Sequence, residues 1–182
     1  MTRLIDLSLR LYDGFRTFPE GPKMAAISRI THAWSAGRYS PPAHSASDRI
    51  LIMNEHMGTH VDVPFHFLED GAKVDEVDLE RFAGPALLID VSDRDPTEPV
   101  EVARLEKTLN ADGQAIRPGD IVLIRSWAGA WNDPGFLSAA ALAPDVGEWA
   151  VHLEVKALGI DLPNVDGPGD RSFPVHIALL EH

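Results

Sequence analysis

The feature that most constrains this chain is a histidine-rich segment, residues 55–67, which reads Glu-His-Met-Gly-Thr-His-Val-Asp-Val-Pro-Phe-His-Phe. A helix is disfavoured here because an interior glycine costs about 1 kcal/mol and an interior proline about 3 kcal/mol. In an extended chain, alternate side chains point to the same side. The even-numbered positions then present one polar side, which consists of His56, His60, Asp62 and His66.

The spacing within this segment predicts a bend. In a straight strand, the Cα atoms of His56 and His60 would lie roughly 13 Å apart at about 3.3 Å per residue, which is marginal for two ligands of one ion. Gly58 lies midway and can adopt a positive φ. A kink there would let both imidazoles and Asp62 reach one ion, with open positions for water, as in a hydrolytic metal site.

We expect His66 to act beside such a metal without binding it. Pro64 precedes it and redirects the chain, so His66 is placed to move protons between water, substrate and leaving group. Thr59 anchors the loop, hydrogen-bonds a water or packs as an ordinary β-branched residue. The alternative for the whole segment is a solvent-facing polar edge without a metal, which would leave Gly58 and Pro64 unexplained.

Composition narrows the chemistry and the partners. The chain has no cysteine, so any metal must be held by nitrogen and oxygen ligands. The net charge of −12 argues against nucleic acid or an anionic membrane surface as a partner. No apolar stretch approaches the roughly 20 residues of a membrane span, and we expect a cytoplasmic protein. A length of 182 residues predicts a single domain over residues 1–182.

Hydrophobic periodicity and turn residues predict an α/β fold in one layered domain. A long ordered loop rich in proline and glycine is expected within residues 15–48. The chain ends on an amphipathic helix without a cap, which predicts a truncated C-terminus. The predicted strands are residues 3–11, 25–31, 49–54, 85–91, 119–126 and 160–162, and the predicted helical segments are residues 79–83, 100–112, 144–158 and 174–182.

The segment His56-x-Gly58-Thr59-His60-x-Asp62-x-Pro64-x-His66-Phe67 resembles the HxGTHxDxPxHF signature of the cyclase-type metal-dependent hydrolases. That family includes bacterial kynurenine formamidases, isatin hydrolases and trans-dienelactone hydrolases. The resemblance extends over nearly the whole chain. It continues in Ile5–Ser8, Gly119–Arg125, Gly159–Asp166 and the helix that begins at Pro174.

The resemblance implies a swivelling β/β/α fold, here without the family's C-terminal end, and assembly as a homodimer or homotetramer. It implies Zn²⁺ or Mn²⁺ bound through His56, His60 and Asp62, with His66 as the catalytic acid and base. In two-metal members a later histidine and a glutamate add ligands. His176 matches that histidine, whereas the glutamate falls beyond the end of this sequence.

These implications predict an enzyme, a formamidase-like or cyclic-amidase-like metal-dependent hydrolase. Its substrate would be a small amide or cyclic amide, cleaved at the C–N bond, or a related lactone. A bound divalent ion lowers the pKa of water from about 16 towards 7, which provides hydroxide at neutral pH. The alternative is a non-catalytic member of the family that keeps the metal for structure.

Aromatic side chains are candidates for the substrate pocket. Trp127 follows a predicted buried strand. Phe67 is the last residue of the histidine-rich segment, and Phe18 lies in the long loop. They could contact an aromatic substrate, although core packing explains each of them equally well.

Overall fold

The structure is a computed structural model that describes residues 3–18 and 20–182. The chain divides into two compact units, Met1–Asp62 and Val63–His182, and each is described by itself. That the chain forms one domain over residues 1–182 stays a prediction.

The first unit is built on an antiparallel pair of strands, β1 (Ala25–Ile30) and β2 (Asp48–Ile52), separated by the short helix α1 (His32–Ser35). The hydroxyl of Thr31 caps α1 by accepting from the Trp34 amide. Both strands agree with the sequence prediction. The unit's small core consists of Phe15, Met24 and Met57, with Leu9 packed against them.

The predicted strand at residues 3–11 is wrong, because the structure has no strand there. Two backbone amides of this segment donate to side chains. Ser8 donates its amide to Asp6 Oδ1 at 2.9 Å, and Leu9 donates to Thr59 Oγ1 at 2.9 Å.

The second unit contains a parallel sheet in the order β3 (Ala86–Asp90), β4 (Ile121–Arg125) and β5 (Ala157–Ile160). Parallel neighbours need crossovers, which the helices α2 (Val102–Ala111) and α3 (Asp145–His152) provide. Both helices pack on one face of the sheet. The buried core shared by these elements and the last helix consists of Ile89, Val91, Val100, Leu105, Leu109, Val122, Ile124, Leu142, Ala143, Val146 and Val175.

The last helix, α4 (Pro174–Leu180), packs closely on α3. Gly147 permits this approach, because a Cβ there would lie 2.8 Å from the Cβ of Ala178 and 3.2 Å from the Cα of Val175. The predicted helix over residues 144–158 is too long. It ends at His152, Glu154 adopts a φ of 53°, and the following apolar residues form β5.

The mixed α/β class predicted from the sequence is confirmed, as are the strands at residues 85–91 and 119–126 and the helix within 100–112. The strand expected at residues 160–162 lies at 157–160 instead. Short 3₁₀ turns occupy Pro64–His66, Leu79–Phe82 and Phe136–Ser138. Within the part of the chain that the structure describes, no helix has the length and apolar character needed to cross a membrane.

Candidate functional site

Three of the predicted ligands converge in the first unit. His56 Nδ1 lies 2.8 Å from Asp62 Oδ1, and His60 Nε2 lies 3.4 Å from the same oxygen. The two imidazole rings are 5.1 Å apart between centroids and nearly perpendicular. Each of the three side chains is about one quarter exposed, so the cluster is shielded but open to small solutes.

The bend at Gly58 makes this convergence possible. Its φ is +71°, in the left-handed region that a side chain makes costly. The rest of the segment is irregular up to the 3₁₀ turn at Pro64–His66. The four even-numbered side chains therefore do not share one extended strand: the chain bends at Gly58, and His66 stands on the turn that begins at Pro64.

The bent loop is held by side chains from the preceding part of the unit. The Thr17 hydroxyl donates to the His56 carbonyl and accepts from the Gly58 amide, at 3.3 Å in each case. Thr59 accepts from the Leu9 amide, so its role as an anchor is observed. The His56 amide donates to Asn54 Oδ1 at 2.8 Å. Sequence reasoning missed Thr17, because nothing in the pattern around it indicates a contact 39 residues away.

The hydrogen bonds of His60 define which of its nitrogens faces the cluster. Nδ1 lies 2.9 Å from the Gly58 carbonyl, which can only accept, so Nδ1 carries a proton. Nε2 therefore faces Asp62. The hydrogen bond to Asp62 raises the pKa of His60 above its usual value, burial opposes this, and the Gly58 carbonyl adds to the increase.

This donor set fits a divalent cation. The hydrogen bond between His60 and Asp62 raises the pKa of that histidine, so it favours the protonated form of the ring. A divalent cation held by these residues would compete with that proton, because metal ligands bind in their deprotonated forms. Two imidazoles and one carboxylate are a ligand set that Zn²⁺ accepts, and Gly58 orients one imidazole from outside.

The other two predicted histidines lie in the second unit. His66 ends the 3₁₀ turn, and its ring is 5.8 Å from the ring of His176 in α4. Phe67 packs 4.9 Å from both His176 and Phe173. These aromatic rings form one cluster at the start of α4.

His176 is buried, with 8% of its surface exposed, and it is hydrogen-bonded to Asp166, which is 2% exposed. Its Nδ1 lies 2.5 Å from Asp166 Oδ2. Asp166 also accepts the backbone amides of Val175 and His176, at 2.9 and 3.1 Å.

Trp127 lies just past the carboxyl end of β4, where Asp161 holds the chain. Asp161 accepts from the amide and hydroxyl of Ser126 and from the Trp127 amide, at 2.8, 2.9 and 3.1 Å. The Trp127 ring packs against Phe136, with ring centroids 5.8 Å apart. Core packing thus accounts for part of its surface, and its contact with substrate stays a prediction.

Phe18, in the first unit, is 42% exposed. This exposure fits a contact to substrate and an ordinary surface position equally well. Arg125 forms an ion pair with Asp90, whose Oδ2 lies 2.8 Å from Nη1.

Comparison with known proteins identifies the family. A family model described as "Putative cyclase" matches residues 5–167. A kynurenine formamidase from Erythrobacter litoralis is 30% identical over 180 residues, which cover 99% of this chain and 75% of the relative. One from Bacillus cytotoxicus is 34% identical over 140 residues, 72% of this chain and 59% of the relative. The chain therefore belongs to the cyclase family, and the hydrolase class predicted from the sequence is confirmed with it.

Solved structures agree on the fold. Isatin hydrolase A from Ralstonia solanacearum has a TM-score of 0.72 at 23% identity, covering 96% of this chain and 73% of that one. Isatin hydrolase A from Labrenzia aggregata, bound to benzyl benzoate, has a TM-score of 0.71 at 24% identity, covering 96% and 75%. The predicted cyclase-family fold is thereby confirmed. The chain spans 59% of the length of several curated relatives and about three quarters of others.

Proposed function

We propose that this chain is a metal-dependent hydrolase that cleaves the C–N bond of a small amide or cyclic amide, or opens a related lactone. The observation that carries the proposal is the convergence of His56 Nδ1 and His60 Nε2 on one oxygen of Asp62. Kynurenine formamidases and isatin hydrolases among its relatives support the substrate class.

The three side chains would hold Zn²⁺ or Mn²⁺. When bound, a divalent ion would supply the Lewis acidity that attack of water on an amide carbonyl requires. The chain's own part is to present two neutral imidazoles and one carboxylate in a fixed arrangement. The Gly58 carbonyl keeps the Nδ1 proton of His60 away from the cluster, so that Nε2 can serve as a donor atom.

His66 is the proposed acid and base. It follows Asp62 by four residues, and the 3₁₀ turn fixes its backbone. Its ring packs edge-on against Phe67, with centroids 4.4 Å apart, which limits its rotation. A neutral imidazole can accept a proton from the attacking water and return it to the leaving nitrogen or oxygen, at a pH close to its own pKa.

The aromatic cluster around His176 supports a substrate with a flat apolar part. Phe67 is a half-buried ring that an aromatic amide could stack on. Trp127 and Phe18 are proposed as further substrate contacts. His176 is proposed as an additional metal ligand.

The test combines metal binding with turnover. Purified protein should bind Zn²⁺ or Mn²⁺ in calorimetry and hydrolyse N-formylkynurenine, isatin or a dienelactone, and a chelator should abolish the hydrolysis. His60→Ala should lose both properties. His44→Ala, a change at an exposed histidine outside the site, is the matched control and should retain both.

Full activity in His60→Ala would refute the proposed mechanism. Binding that raises the melting temperature without turnover of any substrate would favour a structural metal instead. The proposed homodimer or homotetramer is checked by light scattering, and the proposed cytoplasmic location by cell fractionation.

A further inference from the structure

At the start of α4, the buried carboxylate of Asp166 makes more hydrogen bonds than a helix cap requires. Pro174 has no amide hydrogen, so the first amides that need an acceptor are those of Val175 and His176. Asp166 accepts both. A neutral serine or asparagine would serve such a cap as well, without the cost of burying a charge.

The third bond of Asp166 explains why a carboxylate is present. His176 Nδ1 lies 2.5 Å from Oδ2, and an ionised carboxylate can only accept a hydrogen bond. Nδ1 of His176 therefore carries a proton, and in the neutral ring Nε2 is then the nitrogen with the lone pair.

The backbone on both sides is arranged to keep this contact. Phe173 adopts a φ of 50°, a left-handed conformation that costs a residue with a side chain about 1–2 kcal/mol. It directs the chain into α4 so that two successive amides face one carboxylate. On the other side, the Asp166 amide donates to Asn164 Oδ1 at 2.9 Å, which fixes the carboxylate's own backbone. Strain of this kind persists where the surrounding structure enforces it.

We propose that Asp166 is a positioning residue that locks His176 in the tautomer protonated at Nδ1, so that Nε2 is the nitrogen this side chain offers as a donor atom. The use of Nε2 in the metal centre rests on the proposed function, whereas the tautomer does not. Asp166 acts only through His176, by setting which nitrogen is available and how the ring is turned.

Nitrogen NMR of the metal-free, histidine-labelled chain tests the proposal. The His176 signals are assigned from their loss in His176→Gln. We expect a protonated Nδ1 and an unprotonated Nε2 in the wild type. In Asp166→Asn the amide nitrogen can donate to the ring, so we expect the proton to shift to Nε2 in most molecules.

Asp170→Asn is the matched control. Asp170 also accepts hydrogen bonds, here from the amide and hydroxyl of Ser172 and from the Phe173 amide. Its variant should leave the His176 signals unchanged. Asp166→Ser retains an oxygen that can cap the helix but has no carboxylate. The His176 ring should lose its fixed tautomer in this variant, which serves as the test if Asp166→Asn does not fold.

A wild-type His176 protonated at Nε2 would overturn the proposal, and so would an unchanged Nδ1 proton in both Asp166 variants. Zinc titration separates this result from the proposed function. If His176 belongs to the metal centre, Asp166→Asn should weaken zinc binding by about 10- to 100-fold. A changed tautomer with unchanged zinc affinity would support the positioning role and contradict the place of His176 in that centre.

Discussion

Replacing Gly58 with alanine tests whether the bend assembles the metal ligands. At a φ of +71°, a side chain costs about 1–2 kcal/mol. The new Cβ would also lie 2.7 Å from Leu11 Cδ2, so that side chain must move as well. If the loop relaxes towards an extended conformation, zinc binding must restore the bend. A penalty of about 1–2 kcal/mol then weakens zinc binding by about 5- to 30-fold, which calorimetry can measure.

Gly37→Ala is the matched control for this prediction. Gly37 has a φ of +74°, and a Cβ there would meet nothing within 4 Å. It should lose about 1–2 kcal/mol of unfolding free energy in urea and bind zinc as the wild type does. Adding Leu11→Ala to Gly58→Ala should relieve the contact but leave the backbone penalty. If Gly58→Ala binds zinc with wild-type affinity, the bend is not what assembles the ligands.

Three further predictions concern the proton on His60, the carboxylate that anchors the end of β4, and helix packing. Because Asp62 raises the pKa of His60, zinc displaces a proton at a pH near or below that pKa, and its affinity should fall as the pH drops through it. Calorimetry in two buffers should detect the released proton, and its absence would contradict the raised pKa. Asp161→Asn weakens the bonds to the Ser126–Trp127 chain and should cost about 1–3 kcal/mol in urea unfolding; an unchanged midpoint would contradict this. Gly147→Ala should cost about 1–3 kcal/mol by overpacking against α4, and Ala178→Gly should recover part of it.

The ligand cluster could be predicted because it is local in the sequence. His56, Gly58, His60 and Asp62 lie within seven residues, so the spacing and the properties of glycine already limit the geometry. The parallel strands were also predictable. Apolar runs bounded by proline, glycine and aspartate are typical of strands buried in such a sheet, and β3 and β4 follow that pattern.

Contacts between distant residues could not be predicted. Thr17 binds the loop at His56 and Gly58, but its own neighbourhood shows no pattern that would indicate this. The end of α3 was misplaced for a related reason. Val155, Ala157 and Leu158 could continue a helix, but pairing with β4 makes Ala157–Ile160 a strand.

His60 and His176 each place Nδ1 against an oxygen acceptor, and the two acceptors differ in kind. The acceptor for His60 is a neutral carbonyl two residues away. The acceptor for His176 is a buried carboxylate ten residues away. A carboxylate partner increases the electron donation of the opposite nitrogen more than a carbonyl does. His176, the stronger donor, lies on helix α4, whereas His60 lies on a loop held by Thr17 and Thr59. A change in the hydrogen bonds that support one histidine should therefore leave the other unaffected. The loop variants should alter the geometry of His60, and the Asp166 variants should alter the donor strength of His176.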